Sequence, residues 1–323
     1  EIRTGAGLAG FPTGGIPGFA SGIANSLGGF ERTNPQPTNG SYNVTEAFAE
    51  VEIPVVKNVA WANSLTINAA GRYVDYSISG GVEPWKLGVV WEVNDWLRLR
   101  GSRSTDIRAP NLGELFKGSS QGTSAVTDTP RGSTSIENVL TGSVGNSGLV
   151  PESSNTWTVG GVITPDSLLP GLSFSVDYYS ISITKAISTL TAQQELDQCA
   201  AGAQQECSFI QRNGSGGLAR VLLPYFNAAS RLTKGEDIEI DYTTNLADWN
   251  WGGLDGTLTT RLIANHLDRF ETNVLSGVPL EFAGSLNNNT PAWKWVLQAN
   301  YSLDALSVFV QERFIGGGKY DRS

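Results

Sequence analysis

Along much of this chain apolar and polar residues alternate one for one. In the segment from Trp85 to Val93, Trp85, Leu87, Val89, Trp91 and Val93 fall on one face of an extended backbone, while Lys86, Gly88, Val90 and Glu92 fall on the other. That period of two is the mark of a strand with one apolar and one polar side. The same alternation runs over Tyr42 to Ile53, Leu65 to Tyr76, Trp96 to about Thr105, Ser154 to Thr164 and Leu172 to Ile183. It returns over Glu236 to Leu246, Leu254 to Leu267, Trp293 to Leu303 and Leu306 to Phe314. About ten strands are predicted in all by this template. A short helix is predicted over Thr191 to Ala203, opened by Thr191.

The connections carry a second pattern. Short turns are expected at Pro54 to Asn58, Asn94-Asp95, Pro165 to Gly171, Asp248 and Asp304-Ala305. A Gly/Ser link follows Ser77, and long loops without sustained period are expected over residues 1–41, 107–151, 184–234 and 268–291. Tight turns on one rim and large loops on the other are what a transmembrane barrel requires, as periplasmic turns and extracellular loops. The predicted fold is therefore all-β, an antiparallel transmembrane β-barrel; a soluble sandwich has no reason to segregate its loops.

Charge placement follows from that wall. Arg98 and Arg100 alternate with Leu97 and Leu99, and an arginine facing lipid at the midplane costs about 2–4 kcal/mol. Arg72, Arg98, Arg100 and Arg261 are therefore expected on the water side, facing the lumen. Asp237, Glu239 and Asp241 fall on one face of a single strand. They form a stripe along one wall, whereas glycoside hydrolysis needs two acids facing across a sugar. The expected role is a lumen-facing row answered by those arginines. Trp61, Trp85, Trp96, Trp249, Trp251, Trp293 and Tyr301 stand near strand ends, as interfacial girdles do; packing between two soluble sheets is the competing reading.

Composition narrows the classes. The chain has 323 residues, 40% hydrophobic and 16% charged, with 38 Gly, 14 Pro and a net charge of −9. That charge opposes nucleic-acid binding. No apolar run is long enough for a transmembrane helix, which a barrel does not need. His266 is the only histidine, so neither a His-based metal cluster nor a Ser-His-Asp triad with a choice of histidine is available; no cofactor, metal or catalytic residue is expected. His266 itself is expected at a strand end near the extracellular rim. Cys199 and Cys207 lie eight apart in a polar loop, a spacing that allows either a small disulfide loop in an oxidising compartment or two free thiols. Arg108, Pro110 and Asn111 sit where a strand opens into a long loop. They form a lip for ligand access, or else Pro110 ends the strand while Arg108 pairs with a carboxylate such as Glu114.

Several segments carry a family resemblance. Tyr42 to Val55 resembles the mid-barrel strand and turn of TonB-dependent outer-membrane receptors. Ser102 to Phe116, with Arg108-Ala109-Pro110-Asn111, looks like the start of that family's long loop, and Pro151 to Gly160 like the strand that leaves it. Cys199 and Cys207, then Ile210 to Asn213 and Gly235 to Tyr242, are similar to a cysteine-bearing extracellular loop and the strand after it in a proteobacterial subgroup. The resemblance implies a barrel of twenty-two strands in the bacterial outer membrane, filled by a plug. It would take up siderophores, oligosaccharides or similar scarce nutrients with energy from the TonB complex, its partners being that complex, a small ligand and outer-membrane lipid. A passive porin-like barrel and a secreted all-β enzyme or adhesin are the alternatives. The piece in hand is expected to lack the family's plug and TonB box before Glu1 and its closing strands after Ser323. The chain is expected to be about half a barrel, with two unpaired edge strands.

Overall fold

The computed structural model describes residues 2–4, 37–249, 253, 255–274 and 278–320. In chain order its strands begin with β1 (Ile2–Thr4), β2 (Thr38–Gly40), β3 (Val44–Val59), β4 (Ala62–Tyr76), β5 (Gly80–Val82) and β6 (Trp85–Glu92). They continue with β7 (Leu97–Arg108), β8 (Gly122–Thr127), β9 (Ile136–Val144), β10 (Glu152–Ile163), β11 (Leu172–Ser188) and β12 (Ile210–Arg212). The last are β13 (Leu218–Pro224), β14 (Phe226–Asn245), β15 (Thr257–Val274), β16 (Leu280–Glu281), β17 (Trp293–Leu303) and β18 (Leu306–Ile315). Three helices are α1 (Leu112–Phe116), α2 (Ala192–Ala200) and α3 (Gln204–Cys207).

Ten strands form one antiparallel wall in the order β3-β4-β6-β7-β10-β11-β14-β15-β17-β18, with β5 and β16 added beside β4 and β15. Among the described residues β3 and β18 are the two ends of this wall. Register keeps the two faces apart across the whole sheet. Ile53, Ile67, Val89, Gly101, Val159 and Tyr178 stand opposite one another in succession. One residue along, Arg100, Gly160, Asp177, Asp237, Asn265 and Lys294 form the corresponding row of the other face. Large apolar side chains on the first face remain open to the outside, among them Trp157 at 52% and Val159 at 60% exposure. Burial of apolar side chains is concentrated instead above one end of the wall, in two small clusters.

Several elements differ from the sequence reading. Pro54 is not a turn: β3 runs on to Val59 and reverses at Ala60-Trp61. Proline is accommodated because the pairing of β3 with β4 shifts register between Pro54 and Val56, a bulge that needs no ladder N–H there. Strands reach further toward the long loops than alternation suggested, β11 to Ser188, β14 from Phe226 and β15 to Val274. His266 therefore lies inside a strand rather than at its end. The expected loops at 107–151 and 184–234 hold α1, β8, β9, α2, α3, β12 and β13, because residues distant in sequence complete each other's sheets there. The helix expected over Thr191–Ala203 spans Ala192–Ala200, with Thr191 as its N-cap. Trp251, Leu254 and most of the first loop lie outside the described residues.

Candidate functional site: a cap built from two loops

The wall's polar face is a ladder of ion pairs. Arg72 bonds Glu46 on the neighbouring strand. Arg98 Nη2 meets Glu92 Oε1 at 2.8 Å, and Arg100 Nε meets Asp177 Oδ1 at 2.7 Å. Arg261 bonds Glu239 and lies 3.5 Å from Asp241, while Asn265 Nδ2 donates to Asp237 at 2.8 Å. The acidic stripe is thus answered along its own wall. Gly160 makes room for the Arg100–Asp177 pair: a Cβ there would stand 2.1 Å from Asp177 Oδ1.

Above one end of the wall the connections between β7 and β10 and between β11 and β14 fold into one unit. A four-stranded sheet, in the order β12-β13-β9-β8, draws two strands from each connection. β13 and β9 join them as a parallel pair, Arg220 opposite Leu140 through Pro224 opposite Val144. Helix α2 lies on this sheet and packs Ala192 and Leu196 with Val126, Val139, Leu218 and Val221. Thr191 and Gln194 form its capping box. Cys199 and Cys207 are joined as a disulfide that ties α2 to α3. A second cluster, Leu115, Leu149 and Ile187 with Tyr42, Ile78, Phe116 and Tyr225, seats the cap on the wall.

Polar contacts complete the junction. Arg212 donates two bonds to Asp128, at 2.6 and 2.8 Å, across the two connections. Those hydrogen bonds hold the Asp128 carboxyl below the usual carboxylate range, although its burial pulls the other way. Asn227 takes a bond from the Val150 N–H at 2.9 Å and donates to the carbonyls of Val150 and Lys185, both at 2.8 Å. Arg220 bonds Ser119 and the Ser120 carbonyl, and its burial lowers its pKa. Glu195, 1% exposed on α2, has its Oε2 buried without a partner. Desolvation, then the charge of Glu206, pushes its carboxyl up to about 7. A cavity of about 330 Å³ lies beside the disulfide, with Arg131, Arg212, Ile210 and Gly216 in its wall.

The three residues singled out at the start of the first long loop are engaged in structure. Arg108 forks onto Glu152 at 2.8 and 2.7 Å and reaches Glu114 at 3.0 and 3.1 Å. Asn111 caps α1 by accepting from the Glu114 N–H at 2.8 Å, and the Glu114 side chain returns the bond to the Asn111 N–H. Pro110 is fully buried. Sequence reasoning missed Asp128, Arg212, Arg220, Glu195 and Asn227, none of which belongs to a periodic pattern.

Among the aromatic residues, Trp61 packs edge-on to Trp91 at 6.2 Å and Trp249 lies against Tyr242 at 6.2 Å. Tyr301 donates to the Asp255 carbonyl at 2.8 Å. All of these lie toward the tight-turn rim with Trp96. Trp85, Trp157 and Trp293 stand toward the cap, with Trp293 stacked on His266 at 4.4 Å.

An antiparallel wall, oily on one side and ion-paired on the other, with its long connections folded over one end, is the wall of a membrane β-barrel. The sequence matches the TonB dependent receptor-like β-barrel family over residues 7–323, and the chain belongs to that family of bacterial outer-membrane proteins. No curated protein matches it. A ferric enterobactin receptor mutant (PfeA) from Pseudomonas aeruginosa, solved with enterobactin, is similar at 16% identity with a TM-score of 0.59, covering 96% of this chain and 36% of that one. The siderophore receptor PirA from Acinetobacter baumannii is similar at 13% identity with a TM-score of 0.54, covering 86% and 35%. The chain thus spans about a third of the length of these structures, and at such identities the likeness is one of fold.

Proposed function

We propose that this chain supplies part of the barrel wall and part of the external rim of a TonB-dependent transporter that takes up a scarce nutrient. The polar face is read as lumen, with Arg72, Arg98, Arg100, Asp237, Glu239, Asp241 and Arg261 lining the path behind a plug. The long connections, residues 1–41, 107–151, 184–234 and 268–291, are read as extracellular. The single observation that carries this reading is the cap: two long connections share one core at one end of the wall, while the other end carries tight turns. A simple diffusion pore gains nothing from such a folded rim, and the ion-paired acidic stripe offers no facing acids for hydrolysis. The similar structures, a ferric enterobactin receptor and a siderophore receptor, favour a ferric chelate as the ligand class. Energy would come from the TonB complex acting on the plug of the whole protein.

Uptake in cells tests it. Deleting the full-length gene is expected to abolish high-affinity uptake of one ferric siderophore from a panel, and deleting tonB is expected to do the same. Uptake that survives loss of tonB and scales linearly with ligand concentration would instead identify a passive pore.

A further inference from the structure

The seam where the two connections join brings together two cations and no acid. Lys117 closes α1 in the first connection, and Arg220 stands on β13 in the second. Lys117 Nζ donates to Ser143 Oγ at 2.7 Å. Arg220 Nη2 donates to Ser119 Oγ and, at 3.0 Å, to the Ser120 carbonyl. The Ser120 and Ser143 hydroxyls lie 3.1 Å apart and tie the two ends together. Gly142 on β9 leaves room for this crossing, since a Cβ there would stand 2.8 Å from Arg220 Nη2 and collide with the Ser120 carbonyl. Lys117, Ser119, Ser120, Ser143 and Arg220 are all only partly buried, so the seam is open to solvent.

Donors outnumber acceptors there. Lysine and arginine bring donors only, and the groups that meet them here are hydroxyls and one carbonyl. One hydroxyl of the Ser120 and Ser143 pair donates to the other, so the pair keeps a hydrogen to offer. Arg220 Nε is buried without a partner. Burial lowers the Arg220 pKa, and no acid works against that shift. The acids of the cap are engaged elsewhere, Glu114 and Glu152 on Arg108 and Asp128 on Arg212. Among the described residues no carboxylate stands within ion-pair distance of Lys117 or Arg220, although the chain as a whole carries a net charge of −9. Part-buried charge without a counter-charge is costly, and a surplus of charged donors is what an anion satisfies.

We propose that this seam binds a small oxyanion, a phosphate or a carboxylate, and that the bound anion locks the two connections together. Its oxygens take hydrogens from the Lys117 ammonium, the Arg220 guanidinium and the spare hydroxyl of the serine pair. Bonds of this kind are charge-assisted and stronger than those the cations now make to neutral oxygens. Lys117, Ser119, Ser120 and Ser143 belong to the first connection and Arg220 to the second, so a bridging anion reinforces the parallel pairing of β9 with β13. An anion that binds only the assembled seam stabilises it by mass action. Two sources supply this chemistry, a free ion of the medium and a carboxylate arm of an incoming chelate. The site itself does not depend on the uptake reading.

The test uses the full-length protein in mild detergent, with inorganic phosphate, iron-free citrate and ferric citrate as probes against sodium chloride of equal ionic strength. An oxyanion is expected to slow hydrogen exchange in residues 117–120 and in β13 together, whereas chloride does not. Lys117→Gln is expected to weaken that binding by about tenfold or more, the scale of one lost charge-assisted bond. Arg220→Gln is expected to do the same, but it also loses the bond to the Ser120 carbonyl and loosens the seam without any anion. Lys117→Gln therefore decides the matter. Arg131→Gln, which removes a cation of the same cap beside the disulfide, is expected to leave binding unchanged, and heat-modifiable gel mobility shows that the variants are folded. Protection by phosphate assigns the anion to a free ion; protection by ferric citrate but by neither phosphate nor iron-free citrate, with the same dependence on Lys117, assigns it to a chelate arm. Equal protection by chloride, protection by none of the three probes, unchanged binding in Lys117→Gln, or protection of one connection without the other overturns the proposal.

Discussion

Arg108 shows how a residue conspicuous in sequence becomes a fastening in structure. Its guanidinium joins the end of β7 to Glu152 on β10 and Glu114 on α1, and both acids are only 13% exposed at the side chain. Arg108→Ala leaves two largely buried carboxylates without their counter-charge, at a cost of about 1–3 kcal/mol. The expected result is faster protease cleavage between residues 109 and 151 in folded, detergent-solubilised protein. Glu195 makes the opposite case, a charge that the fold prefers to keep neutral. Its carboxyl rises from 4.5 to about 7 through burial, with a smaller push from Glu206. The proton is thus held more tightly in the folded state than in the unfolded one. Stability from this group is full below about pH 4.5 and falls as pH rises toward about 7, where the loss levels off at about 3 kcal/mol. Hydrogen exchange in α2, corrected for intrinsic rates, is expected to show that decline, and Glu195→Gln is expected to flatten it.

Among elements, the parallel pairing of β9 with β13 has the widest consequence. It makes the two long connections one cooperative unit, because α2 and the strands of both share a single core. Leu196 is fully buried in that core, and Leu196→Ala is expected to cost about 2–5 kcal/mol. Faster exchange should then appear in β8 and β9, which belong to the other connection, as well as in α2. If only α2 responds, the loops are independent. The disulfide acts more locally, closing the short loop between α2 and α3. Breaking it is expected to cost about 2–3 kcal/mol within the cap, with exchange rising in α2, α3 and β12 while α1 stays protected.

For the whole molecule, the period of two makes the wall and the connections make its polarity. Ten strands stand side by side in chain order, so the wall can be built by hairpins alone, each strand finding its neighbour next in sequence. The two ends of this sheet carry unpaired backbone groups, which are templates for further strands. The chain expressed by itself is expected to form heterogeneous multimers in detergent, and the full-length protein a single species, on size-exclusion chromatography. Almost the whole wall was legible, including the hairpin at Asn94-Asp95 and the alternation of Arg98 and Arg100 with leucines. The Pro54 turn misled because proline marks an edge or a bulge as readily as it marks an end.

The sequence alone determined the wall, its two faces and the direction set by short and long connections. These rest on local alternation, which is a property of neighbouring residues. Tertiary structure alone decided that two loops make one cap, that Asp128 meets Arg212 and that Glu195 is buried. Each of those depends on register between segments far apart in the chain. Register is set by the summed pairing of whole strands, and no single residue announces it.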